Sequence, residues 1–295
     1  MISTVLIGLA AACLLGLGFV AQQHAAYDEP LGEMLRLHLL LDLIRKPLWL
    51  CGVGAMVGGQ ILGALVLQRA DIARVEPLLA TNLIFALGAA AVVYKERLGW
   101  AEWLGAVLVS GGVAVFLAFG QPHGGDAPAP GSPVWLSVLV VLMAAAALVM
   151  VALRLDLQTK AMLLAAAAGM LYGLQDALTR GSLLTLARGP HALAVTWQPY
   201  MVAVVAVVGI LLNQSAFDAA PLRISLPATT AAEPITGIVL GVVIFSEHLR
   251  VDPGALTGEI LGLIALVAGI VVLGRSPFLA KSERNPAESR DPECR

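Results

Sequence analysis

Apolar residues run along this chain in long unbroken blocks, and short polar clusters punctuate them. Blocks of about 18 or more such residues read as membrane-crossing helices. Bounded by charged or turn residues, they predict nine: 2–21, 48–67, 72–94, 101–119, 134–153, 160–179, 195–212, 222–245 and 255–274. A transmembrane barrel does not fit, because its strands alternate apolar and polar positions over about ten residues. Leu31 to Ile44 is apolar but short and carries Glu33, Arg36, His38 and Asp42, so it reads as a helix in the interface, with a tenth crossing as the alternative. No Lys or Arg precedes the first run, so a cleaved signal peptide is not expected.

Composition sharpens this picture. Of 295 residues, 59% are hydrophobic and 13% charged, against about 45–50% and about 25% in soluble domains. The expected fold is an all-α polytopic membrane protein in contact with a lipid bilayer. Net charge is -2 and no basic stretch interleaves with aromatics, so nucleic acid is not an expected partner. The three cysteines, Cys13, Cys51 and Cys294, form no metal or disulfide pattern. The Gly/Pro-rich stretch 120–132 reads as a linker, and the polar residues after Arg275 as a disordered tail. With nine crossings, 13 of the 18 Lys and Arg residues fall on one side and 5 on the other. Retention of positive charge in the cytoplasm then puts the N-terminus outside a plasma membrane and the C-terminus inside.

The two halves of the chain resemble each other. Pro77 is followed nineteen residues later by Glu96 in YKERL, and Pro227 twenty residues later by Glu247 in FSEHL. Leu104-Gly105 with Gly112 matches Leu261-Gly262 with Gly269, and LLGLGFVAQQ of the first span matches GMLYGLQDALTR of the sixth. Corresponding spans lie five crossings apart, an odd number, so the expected arrangement is two inverted repeats, residues 1–119 and 154–274, joined through residues 120–153 and followed by the tail 275–295. Such repeats place a substrate site near the bilayer midplane, at the interface between them.

On these residues the chain resembles the drug/metabolite transporter superfamily with its EamA-like repeats. It is most similar to the NIPA-type magnesium transporter branch, through LWLCGVGAMVGGQ, the seventeen residues from Gln60 to Pro77, and PLLATNLIFALGAAAVVYKERL. Gln60 stands where that branch carries an acidic residue, and Gly63, Ala64 and Leu67 replace its following Asn and aromatic. The resemblance implies a secondary transporter of a small solute. A magnesium carrier or channel is the alternative.

Carboxylates at membrane depth cost at least about 2.5–3.5 kcal/mol on insertion scales, which makes each a candidate for function. Glu233 lies mid-span on a stripe with Thr229, Thr230, Thr236, Gly237 and Gly241. Pro234 donates no amide hydrogen, so the Thr230 carbonyl is left without its helical donor beside the carboxylate. Glu233 could hold a cationic or donor-bearing substrate and exchange it for a proton, or it could be a protonated acid bonded to a neighbouring helix. Asn82 lies one residue out of register with Glu233 when Pro77 is aligned with Pro227, and it reads equally as an interhelical hydrogen bond.

Tyr172, Gln175, Asp176 and Arg180 share a stripe in the sixth span, with an Asp176–Arg180 ion pair as the plainer reading. Gln60 and Gln198 are pathway candidates. Glu96 and Glu247 read as helix-end anchors, and Glu76 as an interfacial charge. Pro77, Pro227 and Pro234 are candidate kinks or hinges. The pairs Gly54/Gly58, Gly59/Gly63, Gly237/Gly241 and Gly258/Gly262 permit close helix approach, within one chain or across a homodimer. No catalytic motif, nucleotide loop or histidine cluster occurs. The expectation is therefore a non-enzyme with no cofactor, with a metal ion in question only as cargo. A membrane assembly factor or receptor is a third reading.

Overall fold

The computed structural model describes residues 2–27, 35–67, 79, 81–93, 98–120, 134–186, 189–245 and 252–275. Among these every regular element is a helix. In chain order they are α1 (Ile2–Tyr27), α2 (Leu37–Ile44), α3 (Pro47–Leu67), α4 (Asn82–Val93), α5 (Trp100–Gly120), α6 (Val134–Ala152), α7 (Leu157–Leu186), α8 (Pro190–Val195), α9 (Gln198–Ala219), α10 (Leu222–Phe245) and α11 (Pro253–Gly274). Seven of them, α1, α5, α6, α7, α9, α10 and α11, are long and apolar enough to cross a membrane. The described apolar stretches of α3 and α4 are shorter, Pro47–Gly63 and Asn82–Val93. The protein is a helical membrane protein. Glu76, Pro77, Glu96, Glu247, the linker and the tail lie outside the described residues.

Three spans run past the ends the apolar pattern predicts. The first continues beyond residue 21 to Tyr27, the sixth runs 30 residues, and the seventh continues beyond residue 212 to Ala219. Polar side chains do not stop a helix whose partners satisfy them, and Gln22 and Gln23 at the end of α1 are both buried against neighbouring helices. Helix α2, within the stretch expected in the interface, is 8 residues long, too short to cross by itself, and residues 31–34 of that stretch lie outside the described residues. Leu39 and Leu43 are fully buried, while on the adjoining, more exposed face His38 Nδ1 lies 2.8 Å from the Asp42 carboxylate. Lys46, just after it, donates from Nζ to the Ala25 carbonyl in the last turn of α1 (3.0 Å).

Packing follows one plan in both halves of the chain. Helix α1 packs along α3 and α4, and α7 packs along α9 and α10. Without a hydrophobic drive between helices in lipid, close approach depends on small residues. A Cβ on Gly16 would lie 2.7 Å from the Asn82 carbonyl and 2.8 Å from the Ala86 amide. A Cβ on Gly173 would lie 2.5 Å from the Glu233 carbonyl and 2.8 Å from the Gly237 amide. The same two-point clamp, on residues i and i+4 of the partner, therefore seats α4 on α1 and α10 on α7. Asn82 and Glu233 occupy the same place in it, so their one-residue offset in the sequence vanishes in the packed molecule.

Helices α5 and α11 pair with each other. Gly105 meets the Gly269 backbone and Gly112 meets that of Gly262, so the two run antiparallel. Of the paired small residues picked out in the sequence, Gly59 lies tight against Leu15 and Ala11, whereas Gly54 and Gly237 face no atom within 4 Å. The outer faces of α6 and α11 expose Leu139, Met143, Ile260 and Ile264, as lipid-facing helices should. Trp135 and Trp197 stack at 3.9 Å at the start of α6 and of α9, which brings these two helix starts together; Trp is the residue that favours membrane interfaces.

Candidate functional site

A cavity of about 430 Å³ opens inside the bundle, and six helices line it. Helix α10 gives the polar wall, Thr229, Thr230, Glu233, Pro234 and Gly237, which is the greater part of the stripe legible in the sequence. Thr236 instead turns to α7, where it is buried beside Gly173. Across the cavity stand Gln60 and Gly63 of α3, Asn82 of α4 and Asp176 of α7. Leu15 and Phe19 of α1, Leu79, Val113 and Leu117 of α5, and Ile238 of α10 complete it with apolar surface.

Each polar group is held there by local structure. Two prolines, Pro227 and Pro234, lie inside α10. Pro234 leaves the Thr230 carbonyl without a helical donor where it borders the cavity, and Pro227, buried lower in α10, does the same to the Arg223 carbonyl. Thr229 is fixed from behind: its hydroxyl lies 3.1 Å from the Ala165 carbonyl of α7 and 3.2 Å from Asn213 Oδ1 of α9. The Asn82 side-chain oxygen is buried and has no hydrogen-bond partner, which in an apolar bundle costs free energy unless something else donates to it. Gln60 and Asp176 are exposed onto the cavity.

The cavity brings together six of the residues singled out in the sequence: Glu233, Asn82, Gln60, Thr230, Asp176 and Pro234. Tyr172 stands just behind, packed on Gly209 of α9 and within electrostatic reach of Glu233. Arg180, on the same stripe, places its guanidinium 4.6 Å from the centre of the Phe245 ring. Gln175 is half-buried on α7 and does not line the cavity, and Gln198 sits at the first turn of α9, beside the stacked tryptophans, with its side-chain oxygen buried and unbonded. Pro77 is outside the described residues.

Several residues that shape the site were not picked out in the sequence: Phe19, Gln22, Asn213, Gln214 and Phe217. The dipeptides Gln22-Gln23 and Asn213-Gln214 were the available signal, since amides at the ends of apolar runs need partners. Chemically, the site offers two carboxylates and neutral oxygens, with no Lys or Arg among the described residues of its lining, an environment for a cationic or donor-rich guest. Among the described residues no three His, Cys, Asp or Glu side chains gather as a metal cage.

No family model matches the chain, and no solved structure matches it. The chain is similar to an uncharacterized protein of Corynebacterium glutamicum, with 27% identity over 274 residues, 92% of this chain and 94% of that one. The likeness thus extends over nearly the full length of both proteins, cavity helices included.

Proposed function

We propose that this protein is a secondary transporter that carries a small cationic or donor-bearing solute through the Glu233 cavity by alternating access. The observation that carries the reading is the cavity itself, where polar groups from α3, α4, α7 and α10 converge at membrane depth on one space. Burying carboxylates there is expensive, and a guest that bonds to them offsets that cost. Glu233 binds the solute's positive or donor group and gives it up on taking a proton. The matched clamps at Gly16 and Gly173, and the antiparallel glycine contacts of α5 and α11, support two inverted repeats with the site between them. This is the arrangement that the resemblance to drug/metabolite transporters implies, in a plasma membrane with the N-terminus outside.

A second reading has magnesium as the cargo, favoured by the oxygens that Glu233, Asp176, Asn82, Gln60 and the Thr230 carbonyl bring to the lining. Magnesium prefers about six oxygens and keeps several waters, so a cavity of this size would take it partly hydrated.

Reconstitution in liposomes tests both. Uptake of magnesium, read by a trapped dye, and of a panel of amines and other cationic solutes is compared for the wild type and Glu233→Gln, with and without a proton gradient. Saturable uptake of one of these, lost in the folded variant, is the expected result. Equal uptake by the variant would remove Glu233 from the mechanism, and no uptake of any tested solute by folded wild type would overturn the transport reading.

A further inference from the structure

The cavity lining is lopsided along the bundle. Helices α3, α5 and α7 contribute only from their C-terminal halves, at Gln60 and Gly63, at Val113 and Leu117, and at Asp176. In the opposite direction the lining ends at Phe19 and Thr229. Beyond them α1 closes on α9. The Phe19 ring meets the fully buried Phe217 ring edge-on, with centroids 6.2 Å apart. The Gln214 side-chain amide donates to Gln22 Oε1 at 2.6 Å, and Gln22 Nε2 in turn lies 2.7 Å from the Met56 sulfur. Gln23 donates to the Ala220 carbonyl at 3.1 Å.

The seal is built from side chains, and two of its polar atoms, Gln23 Oε1 and Gln214 Oε1, are buried with no hydrogen-bond partner. Interhelical hydrogen bonds in membranes are individually weak. A contact of a few such bonds and one aromatic pair can be broken at a cost typical of two-state conformational equilibria.

The matched clamps give the register between halves. Gly16 corresponds to Gly173, which sets Phe19 against Asp176. Gly59 on Leu15 corresponds to Gly209 on Tyr172, which sets Asn213 against Gly63. The seal at Phe19 is thus closed, while its counterpart Asp176 stands on the cavity wall, as does Gly63, the counterpart of Asn213 next to Gln214.

We infer that Phe19, Gln22, Gln214 and Phe217 form a gate that shuts the Glu233 cavity at the end of the bundle where α1 and α9 finish. When it opens, Asp176 and α3 close the other end. The inference rests on the transport reading above and assigns that reading its moving contact.

Thiol labelling tests it. In a chain whose own cysteines are replaced, Thr230→Cys is exposed to a membrane-impermeant maleimide from either face of oriented vesicles. Labelling should be at least about tenfold faster from the face where α3 and α7 finish, because the other state is a minor conformer. Adding Phe217→Ala and Gln214→Ala should admit the reagent from the second face too. Separately, Gln22→Cys and Gln214→Cys joined by a short bifunctional thiosulfonate should stop solute uptake until a reductant releases them. Equal labelling from both faces before the gate is altered, or uptake that continues through the linked protein, would overturn the gate. If labelling follows the expectation but the unlinked protein moves no solute, the gate stands as a barrier and the transport reading fails.

Discussion

Two interhelical contacts in this molecule are built from opposite materials. Between α5 and α11, backbone touches backbone: a Cβ on Gly112 would lie 2.5 Å from the Leu266 amide nitrogen, and one on Gly269 would lie 2.7 Å from the Gly105 carbonyl. Between α1 and α9 side chains make the contact, two rings and three amides. Glycine seams have one close-packed geometry and no rotamers to rearrange, so they move as a unit or not at all. Side-chain contacts can part and be replaced by water, because each group retains its own hydrogen-bonding capacity. The difference suggests which parts of the bundle hold and which move.

The largest expected effect comes from breaking the seam. Gly112→Leu must drive α5 off α11, and overpacking of this kind costs about 1–3 kcal/mol or more. Loss of a monodisperse detergent-solubilised protein, or a drop of many degrees in its unfolding temperature, is the expected readout. The same change at Gly54, which faces no atom within 4 Å, should leave both unchanged. At the gate, Phe217→Leu removes the edge-on ring pair, worth about 0.5–1.5 kcal/mol beyond its buried area. Here the unfolding temperature should fall only modestly while Thr230→Cys becomes reactive from the second face, so stability and accessibility part company.

Thr229→Val tests the join between cavity and gate. It keeps the shape but loses the hydroxyl's contacts with Ala165 and Asn213, for a destabilisation of about 0.6 kcal/mol and no more than about 1.7. The smallest effect lies outside both regions, at Asp156, which accepts from the Thr159 amide at 3.1 Å where α7 begins. That hydrogen bond holds the exposed carboxyl below its ordinary value. Its contribution is therefore present above the unfolded-state value and lost as pH falls through the lower folded-state one. Asp156→Ala should cost less than about 1 kcal/mol at neutral pH. The difference from wild type should vanish in acid, as thermal unfolding across that range would show.

Much of the candidate site could be read in the sequence, because charge and amide groups at membrane depth are costly and therefore conspicuous. Glu233, Asp176, Asn82, Gln60 and Thr230 all stood out on that ground, and all line one cavity. Tyr172, Gln175 and Gln198 stood out equally but lie beside or away from it, because helical spacing fixes a face without fixing what that face meets. The apolar lining, Leu15, Phe19, Val113 and Leu117, carried no signal: a phenylalanine in an apolar run looks the same whether it faces lipid, core or cavity.

The sequence alone determined that this chain is a bundle of apolar helices, since about 20 apolar residues in succession have one stable form in lipid, with every backbone group bonded within the segment. It also determined that a few polar groups would have to be sheltered. Which of those groups share a cavity was decided only when the glycines of α1, α7, α5 and α11 set the helices at fixed depths and rotations. A glycine on which a Cβ would lie under 3 Å from the partner's backbone fixes register to within one residue, and no periodicity in the chain carries that information.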